Sequence, residues 1–167
     1  MNLLNYNIQY FMASIIITYI PFHLLEEALG DFPTWMKEHE WIPEKMTYGH
    51  WMANNLFFYL PFLLIGFFSF HFAGNKLLFL GVGIIVWGLI NCFDHVIYTI
   101  RDRRISPGLF TGLIFGVISV LAFFKIYIRN MMTMDILALS IITGLIYSFL
   151  PSVFSVIFHK VFNKIFV

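Results

Sequence analysis

The chain has 167 residues; 60% are hydrophobic, only 11% are charged, and 21 are phenylalanines. A water-soluble domain of this size needs far more polar surface, so the composition describes an integral membrane protein. The net charge of +1 offers nothing to a polyanion such as nucleic acid, and the single cysteine, Cys92, excludes an internal disulfide and any CxxC metal knuckle.

Crossing the hydrocarbon core takes about 20 helical residues, and five apolar runs are long enough. The first, residues 9–29, has no lysine or arginine before it and no small-residue cleavage site after it. It is expected to be a retained helix and not a signal peptide. The segment "GDFPTWMKEHEWIPEKMTY" follows, with two prolines, two tryptophans and four of the nine acids of the chain. It is predicted to lie on the membrane, with Trp35, Trp41 and Tyr48 at headgroup depth. The second run, residues 49–73, and the third, 76–100, are joined by "AGNK". "RDRRIS" leads to the fourth, 107–128, and "RNMMT" to the fifth, 134–158. The runs are apolar on all sides, which disfavours the alternating strands of a barrel. With no internal repeat and no composition shift, residues 1–167 form a single transmembrane domain: an all-α bundle of about five transmembrane helices.

Five crossings put the termini on opposite sides. Lys37, Lys45, Arg101, Arg103, Arg104, Lys160 and Lys164 fall on one side, and Lys76, Lys125 and Arg129 on the other. The positive-inside bias places the N-terminus outside and the C-terminus in the cytoplasm. The same side holds three polar clusters: "HLLEE" ending the first helix, "HWMANN" opening the second and "NCFDH" near the end of the third. Ionisable groups are costly against lipid, so these faces are expected to turn inward and meet.

Residues four apart share a helix face. His23 and Glu27, His50 and Asn54, and Asn91 and His95 are each so spaced. Histidine and carboxylate one turn apart can share a metal ion, and three imidazoles with one carboxylate suit zinc or non-haem iron. His23, His50, His95 and one glutamate are the candidate ligands, with Glu27 preferred and the choice between it and Glu26 left open, because the two lie about 100° apart on the helix. The other glutamate would move a proton to or from a bound water, while Asn54 and Asn91 would orient rings or polarise a carbonyl. Each cluster also has a plainer reading, since a His–Glu pair near an interface can be a helix-end contact. On that reading Asp94 pairs with an arginine of "RDRR", His71 is interfacial on the opposite side, and His39 and His159 are solvated. Pro107 fits the first turn of the fourth helix with Ser106 as its N-cap. Its free amides could hold an anion.

"HLLEE" followed by "GDFPTW", then "NCFDH" and "ISPG", resembles a family of bacterial membrane proteins named for an HXXEE motif. That family also carries a further histidine and a YXPG motif, and it has no established biochemical function. The resemblance implies that His23, Glu26 and Glu27 form the first motif and that His95 is the further histidine. Ser106, Pro107 and Gly108 match the end of YXPG, with Ile105 where the family has tyrosine.

Together these residues suggest a metal-dependent enzyme, with zinc the first choice and iron the second. It would hydrolyse a lipid-like or membrane-associated substrate at the cytoplasmic face of the bacterial plasma membrane. Two other classes use the same residues: a small proton- or ion-coupled transporter, and a non-catalytic subunit binding a partner. Glycines at 81, 83 and 88, or at 108, 112 and 116, could pair two copies into a homodimer.

Overall fold

A computed structural model describes residues 3–39, 46–130 and 132–165, with side chains from residue 8 onward. Among these residues the chain is helical, with no strand. Four continuous stretches, Ile8–Leu29, Tyr48–Asp102, Leu109–Ile128 and Met134–Ile165, are long and apolar enough to cross a membrane. The second folds back on itself, so the bundle makes five passes.

The first pass is α1 (Leu3–Thr18), a π-turn (Tyr19–His23) and α2 (Leu24–Leu29). Asp31, at φ 52°, turns the chain into α3 (Phe32–Glu38). The second pass is α4 (Tyr48–Asn54), a second π-turn (Asn55–Tyr59) and α5 (Leu60–Ala73). Thr47 caps α4 by accepting from His50 N at 3.0 Å, which leaves one fewer orphan amide in the first turn. At Gly74 the backbone reaches φ 58°, ψ −134°, a conformation that only glycine adopts freely, and a 3₁₀ turn (Gly74–Leu77) leads into α6 (Leu78–Asp102). The remaining passes are α7 (Leu109–Ile128) and α8 (Met134–Ile165).

α6 is the central helix. In lipid no water is expelled when helices meet, so close approach through small residues does much of the packing. A Cβ at Gly81 would lie 2.5 Å from Met12 Cε, one at Gly83 2.5 Å from Thr143 Cγ2, and one at Gly88 2.9 Å from Ser119 Oγ. α7 answers with Gly112 and Gly116, which abut His95 and Cys92. The two glycine stripes expected to join copies of the chain are therefore spent inside it, holding α1, α7 and α8 against α6. Around Gly81 the core is wholly apolar, with Ile8, Met12, Leu63, Phe70, Ile84 and Ile85 all but inaccessible. The opposite end of α6 is where the polar residues gather.

The segment after the first pass packs against the bundle through its aromatic residues. Trp35 is buried, stacks on His39 at 3.8 Å between ring centroids and meets Tyr98 edge-on at 4.8 Å. α3 is thus packed onto the end of α6 through its aromatic face. His39, expected to be solvated, bonds Asp102 Oδ2 at 2.5 Å through Nε2 and the Trp35 carbonyl through Nδ1. Arg104 pairs with Glu38, a second tie between α3 and the end of α6. Tyr48 is exposed, as expected, and donates to Asp31. Trp41 and Lys45 lie outside the described residues.

Candidate metal centre

Three ligand atoms converge where the first pass meets α6. His23 Nε2 lies 3.5 Å from Glu27 Oε1, and His95 Nε2 lies 3.9 Å from the same oxygen. The imidazoles of His23 and His95 meet edge-on, 5.2 Å between centroids. One ligand atom from each of the three residues falls within 4.8 Å of the others, and all three side chains are buried.

The π-turn explains how one helix places two of them. On a regular α-helix Tyr19 and Glu27, eight residues apart, would drift about 80° around the axis. The wider winding of Tyr19–His23 removes most of that drift, so Tyr19, His23 and Glu27 stay on the buried side of one pass. π-turns of this kind occur mostly at functional sites.

Hydroxyl groups bear on the protonation of both rings. Thr111 Oγ1 donates to Glu26 Oε2 at 2.5 Å, so its lone pairs face His23 Nδ1, 2.7 Å away. His23 therefore carries its proton on Nδ1 and turns an unprotonated Nε2 to Glu27. Ser106 Oγ lies 3.0 Å from His95 Nδ1 and 3.4 Å from the Pro107 carbonyl. A Ser106 hydroxyl turned to that carbonyl would accept from His95 Nδ1, the tautomer that leaves Nε2 bare. Ser106 is held in turn by Thr99 Oγ1, which accepts from Ser106 N and donates to the His95 carbonyl. The second oxygen of Glu27, Oε2, accepts from Trp51 Nε1 at 3.2 Å. With both rings in that tautomer, two imidazole lone pairs and a carboxylate oxygen face one another, an arrangement that repels itself unless a cation or a proton lies between.

Gly108 makes the two-ring cluster sterically admissible. Its φ is +92°, and a Cβ there would sit 2.6 Å from His95 Cε1 and 2.8 Å from His23 Cε1. Pro107 in turn fills the space beside Gly30, where a Cβ would lie 2.6 Å from Pro107 Cβ. The "ISPG" and "LEEALG" segments are in direct contact across the bundle.

Several residues expected at the site take other places. Glu26, expected to move the proton, accepts from Phe110 N and Thr111 N at 2.8 Å each and from the Thr111 hydroxyl. The opening turn of α7 has orphan amides and a positive dipole end, so this carboxylate is held there as a helix cap. The anion expected at that helix end is the chain's own Glu26. α7 also starts later than expected, at Leu109, with Gly108 and not Ser106 in the capping position. His50 does not reach the cluster. Its Nδ1 donates to Asn163 Oδ1 at 3.1 Å and its Nε2 accepts from Ser155 at 3.0 Å, so both nitrogens are used on α8. Asp94 makes no ion pair among the described residues, with an arginine of "RDRR" or otherwise. His71, facing the other end of the bundle, bonds Gln9.

A cavity of about 260 Å³ adjoins the cluster, with His23, Glu27, His95, Asn54, Asn91 and Asp94 among its lining. Asn91 points Nδ2 at His23 Nε2 from 3.4 Å. The buried Oδ1 atoms of Asn54 and Asn91 have no hydrogen-bond partner among the described residues. Sequence reasoning missed the contributions of Trp51, Thr111 and Ser106 to the cluster, and of Ser148, Ser152 and Ser155 of α8 to the cavity wall. Trp51 was detectable in principle, because it follows His50 and sits three residues before Asn54. Nothing in the sequence marked Thr111.

The family described as "Protein of unknown function with HXXEE motif" matches residues 14–123, about two thirds of the chain, and the chain belongs to it. That span contains the whole cluster and the residues that hold it. No curated protein and no solved structure matches the chain.

Proposed function

We propose that this member of the HXXEE family is a membrane-embedded, zinc-dependent hydrolase whose metal is held by His23 Nε2, His95 Nε2 and Glu27 Oε1. The observation that carries the reading is the convergence of two imidazole nitrogens and a carboxylate oxygen at the edge of a cavity. Two nitrogens and one oxygen suit zinc, with iron the alternative, and three protein ligands leave a position open for reaction. A zinc ion there supplies Lewis acidity toward water and toward an ester or amide carbonyl.

The protein's own groups do the rest. Thr111 and Ser106 hold the two rings in the tautomer a metal needs, the usual task of groups behind a metal-binding histidine. Asn91 Nδ2, which faces His23 Nε2 at 3.4 Å, would be free to donate toward an oxygen on which negative charge develops once a metal takes that nitrogen's lone pair. With Glu26 committed to α7, Glu27 is the cluster's only carboxylate able to take a proton from water, through the oxygen bonded to Trp51. Trp35, Trp51, Trp87 and Tyr59 give the cavity apolar walls suited to a lipid-like chain.

What supports an enzyme over a permease is the other half of the bundle. Beyond the cluster the core from Ile8 and Met12 to Phe70 is mostly apolar, and buried polar groups there are already bonded: Gln9 to His71, Ser119 to the Ile85 carbonyl and Ser140 to the Ile136 carbonyl. The excess of basic residues at the "RDRR" end of α6 supports a site at the cytoplasmic face, with the N-terminus outside.

Mass spectrometry of metal in the purified protein tests this. Near-stoichiometric zinc is expected in the wild type and in His50→Ala, and is expected to be lost in His23→Ala and His95→Ala. A wild-type protein that takes up neither zinc nor iron on reconstitution refutes the reading.

A further inference from the structure

The cavity has one side that is also an outer surface of the protein. Of the residues that line it, only Asp94, Phe149 and Val156 are exposed. Phe149 is 52% and Val156 38% exposed. The first belongs to α6 and the other two to α8, so the opening lies between these helices.

α6 and α8 pack closely where Gly144 meets Val86 and Gly83 meets Thr143. Farther along, α8 is tied to α4, where Ser155 and Asn163 hold His50, while α6 is tied to the first pass and α7 through His95, Ser106 and Glu27. The cavity lies among these elements, with Asp94 of α6 and Phe149 and Val156 of α8 at its outer side, within the length of both apolar helices.

Asp94 stands at that opening about 12 Å along the helix axis from the end of α6, eight residues away. A carboxylate at such depth is costly unless it faces water or a partner, and among the described residues it has no partner. Among the described residues the cavity lining holds two acids, Glu27 and Asp94, and no lysine or arginine. Glu27 is committed to the cluster, which leaves Asp94 as the charge an entering molecule meets. Further in lies Asn54, with its buried Oδ1 unpaired. Both offer acceptors, and a hydrogen-bond donor would satisfy them.

We infer that the site admits its substrate laterally from the bilayer between α6 and α8, and that Asp94 selects a long-chain amphiphile whose head is a cationic amine. Lipids with anionic heads, phosphate or carboxylate, are turned away at the opening. The inference rests on the proposed enzyme reading for the chemistry that follows entry, but entry itself needs no metal.

Three of the four tryptophans, Trp35, Trp51 and Trp87, line the cavity, so their fluorescence reports occupancy. The test uses nitroxide-labelled alkyl probes of equal length, one ending in an amine and one in a carboxylate, with the metal-free protein in neutral nanodiscs. The wild type is expected to be quenched by the amine at about one-tenth the concentration needed for the carboxylate, the ratio given by one partly screened charge pair of ~1.4 kcal/mol. Asp94→Asn is expected to abolish the preference, and His23→Ala to retain it. Equal quenching by both probes in wild type, or a preference that survives Asp94→Asn, overturns the inference even if zinc binds. Retained preference in a protein that binds no zinc sinks the metal reading alone.

Discussion

Thr111 stands between Glu26 and His23, donating its hydroxyl proton to the carboxylate at 2.5 Å and accepting from the ring at 2.7 Å. One side chain thereby links the cap of α7 to the proposed metal ligand, and the two glutamates of the motif acquire separate tasks.

Thr111→Val keeps the shape and removes the hydroxyl. The His23 ring then loses the acceptor that fixes its tautomer, and zinc affinity is expected to fall by about 10- to 100-fold. Competition with a chromophoric chelator measures this. Unchanged affinity would mean that the hydroxyl has no part in holding the ring.

Glu26→Ala removes three charge-assisted hydrogen bonds to the start of α7. The expected cost is about 2–4 kcal/mol of stability, since hydrogen bonds to charged groups contribute about 1.5–3 each and water replaces part of the loss. Zinc stoichiometry in the folded fraction should persist. Glu27→Gln should do the reverse, with less effect on melting and a large loss of metal. The pair of melting curves and metal contents separates cap from ligand.

Gly108→Ala forces a side chain into both imidazoles at a backbone angle of +92°. Loss of bound zinc together with a lowered melting temperature is expected, on the scale of about 1–3 kcal/mol for a strained left-handed residue plus the clash. Gly112→Ala is the milder comparison, because its Cβ would lie 3.3 Å from His95 Cδ2 and at an ordinary helical backbone angle. It should lower zinc binding and melting temperature less than Gly108→Ala does.

Zinc binding to the folded state should stabilise it by mass action, about 2.7 kcal/mol when free zinc is 100 times its dissociation constant. Chelation is therefore expected to lower the melting temperature of wild type and of His50→Ala, and to leave His23→Ala unmoved. His50→Ala should start from a lower baseline, since it gives up two bonds that tie α4 to α8. A chelator effect that persists in His23→Ala would place the metal elsewhere.

The bundle was legible because apolar runs of membrane length are set by composition alone, and the residues His23, Glu27, Asn91 and His95 because four-residue spacing puts them on shared helix faces. His50 obeyed the same spacing rule and still went elsewhere. Its direction is set by Asn163 and Ser155 of α8, more than a hundred residues away. Glu26 and Glu27 lie about 100° apart on any helix, and choosing between them required knowing that the start of α7 would arrive on the Glu26 side. Trp35 read as an interfacial anchor because its segment is amphipathic, and only the packing of α3 on Tyr98 buries it.

The π-turn at Tyr19–His23 carries one more implication. A wide turn takes up one residue more than an α-turn while leaving the helix on either side nearly in phase. Deleting one residue among positions 20–22 would let the turn return to α winding with α1 and α2 close to their present orientation, so the bundle should survive. Tyr19, buried and bonded to Asn55, would instead be drawn one place nearer His23. Shortening the chain here should therefore disturb the cluster before it disturbs the fold.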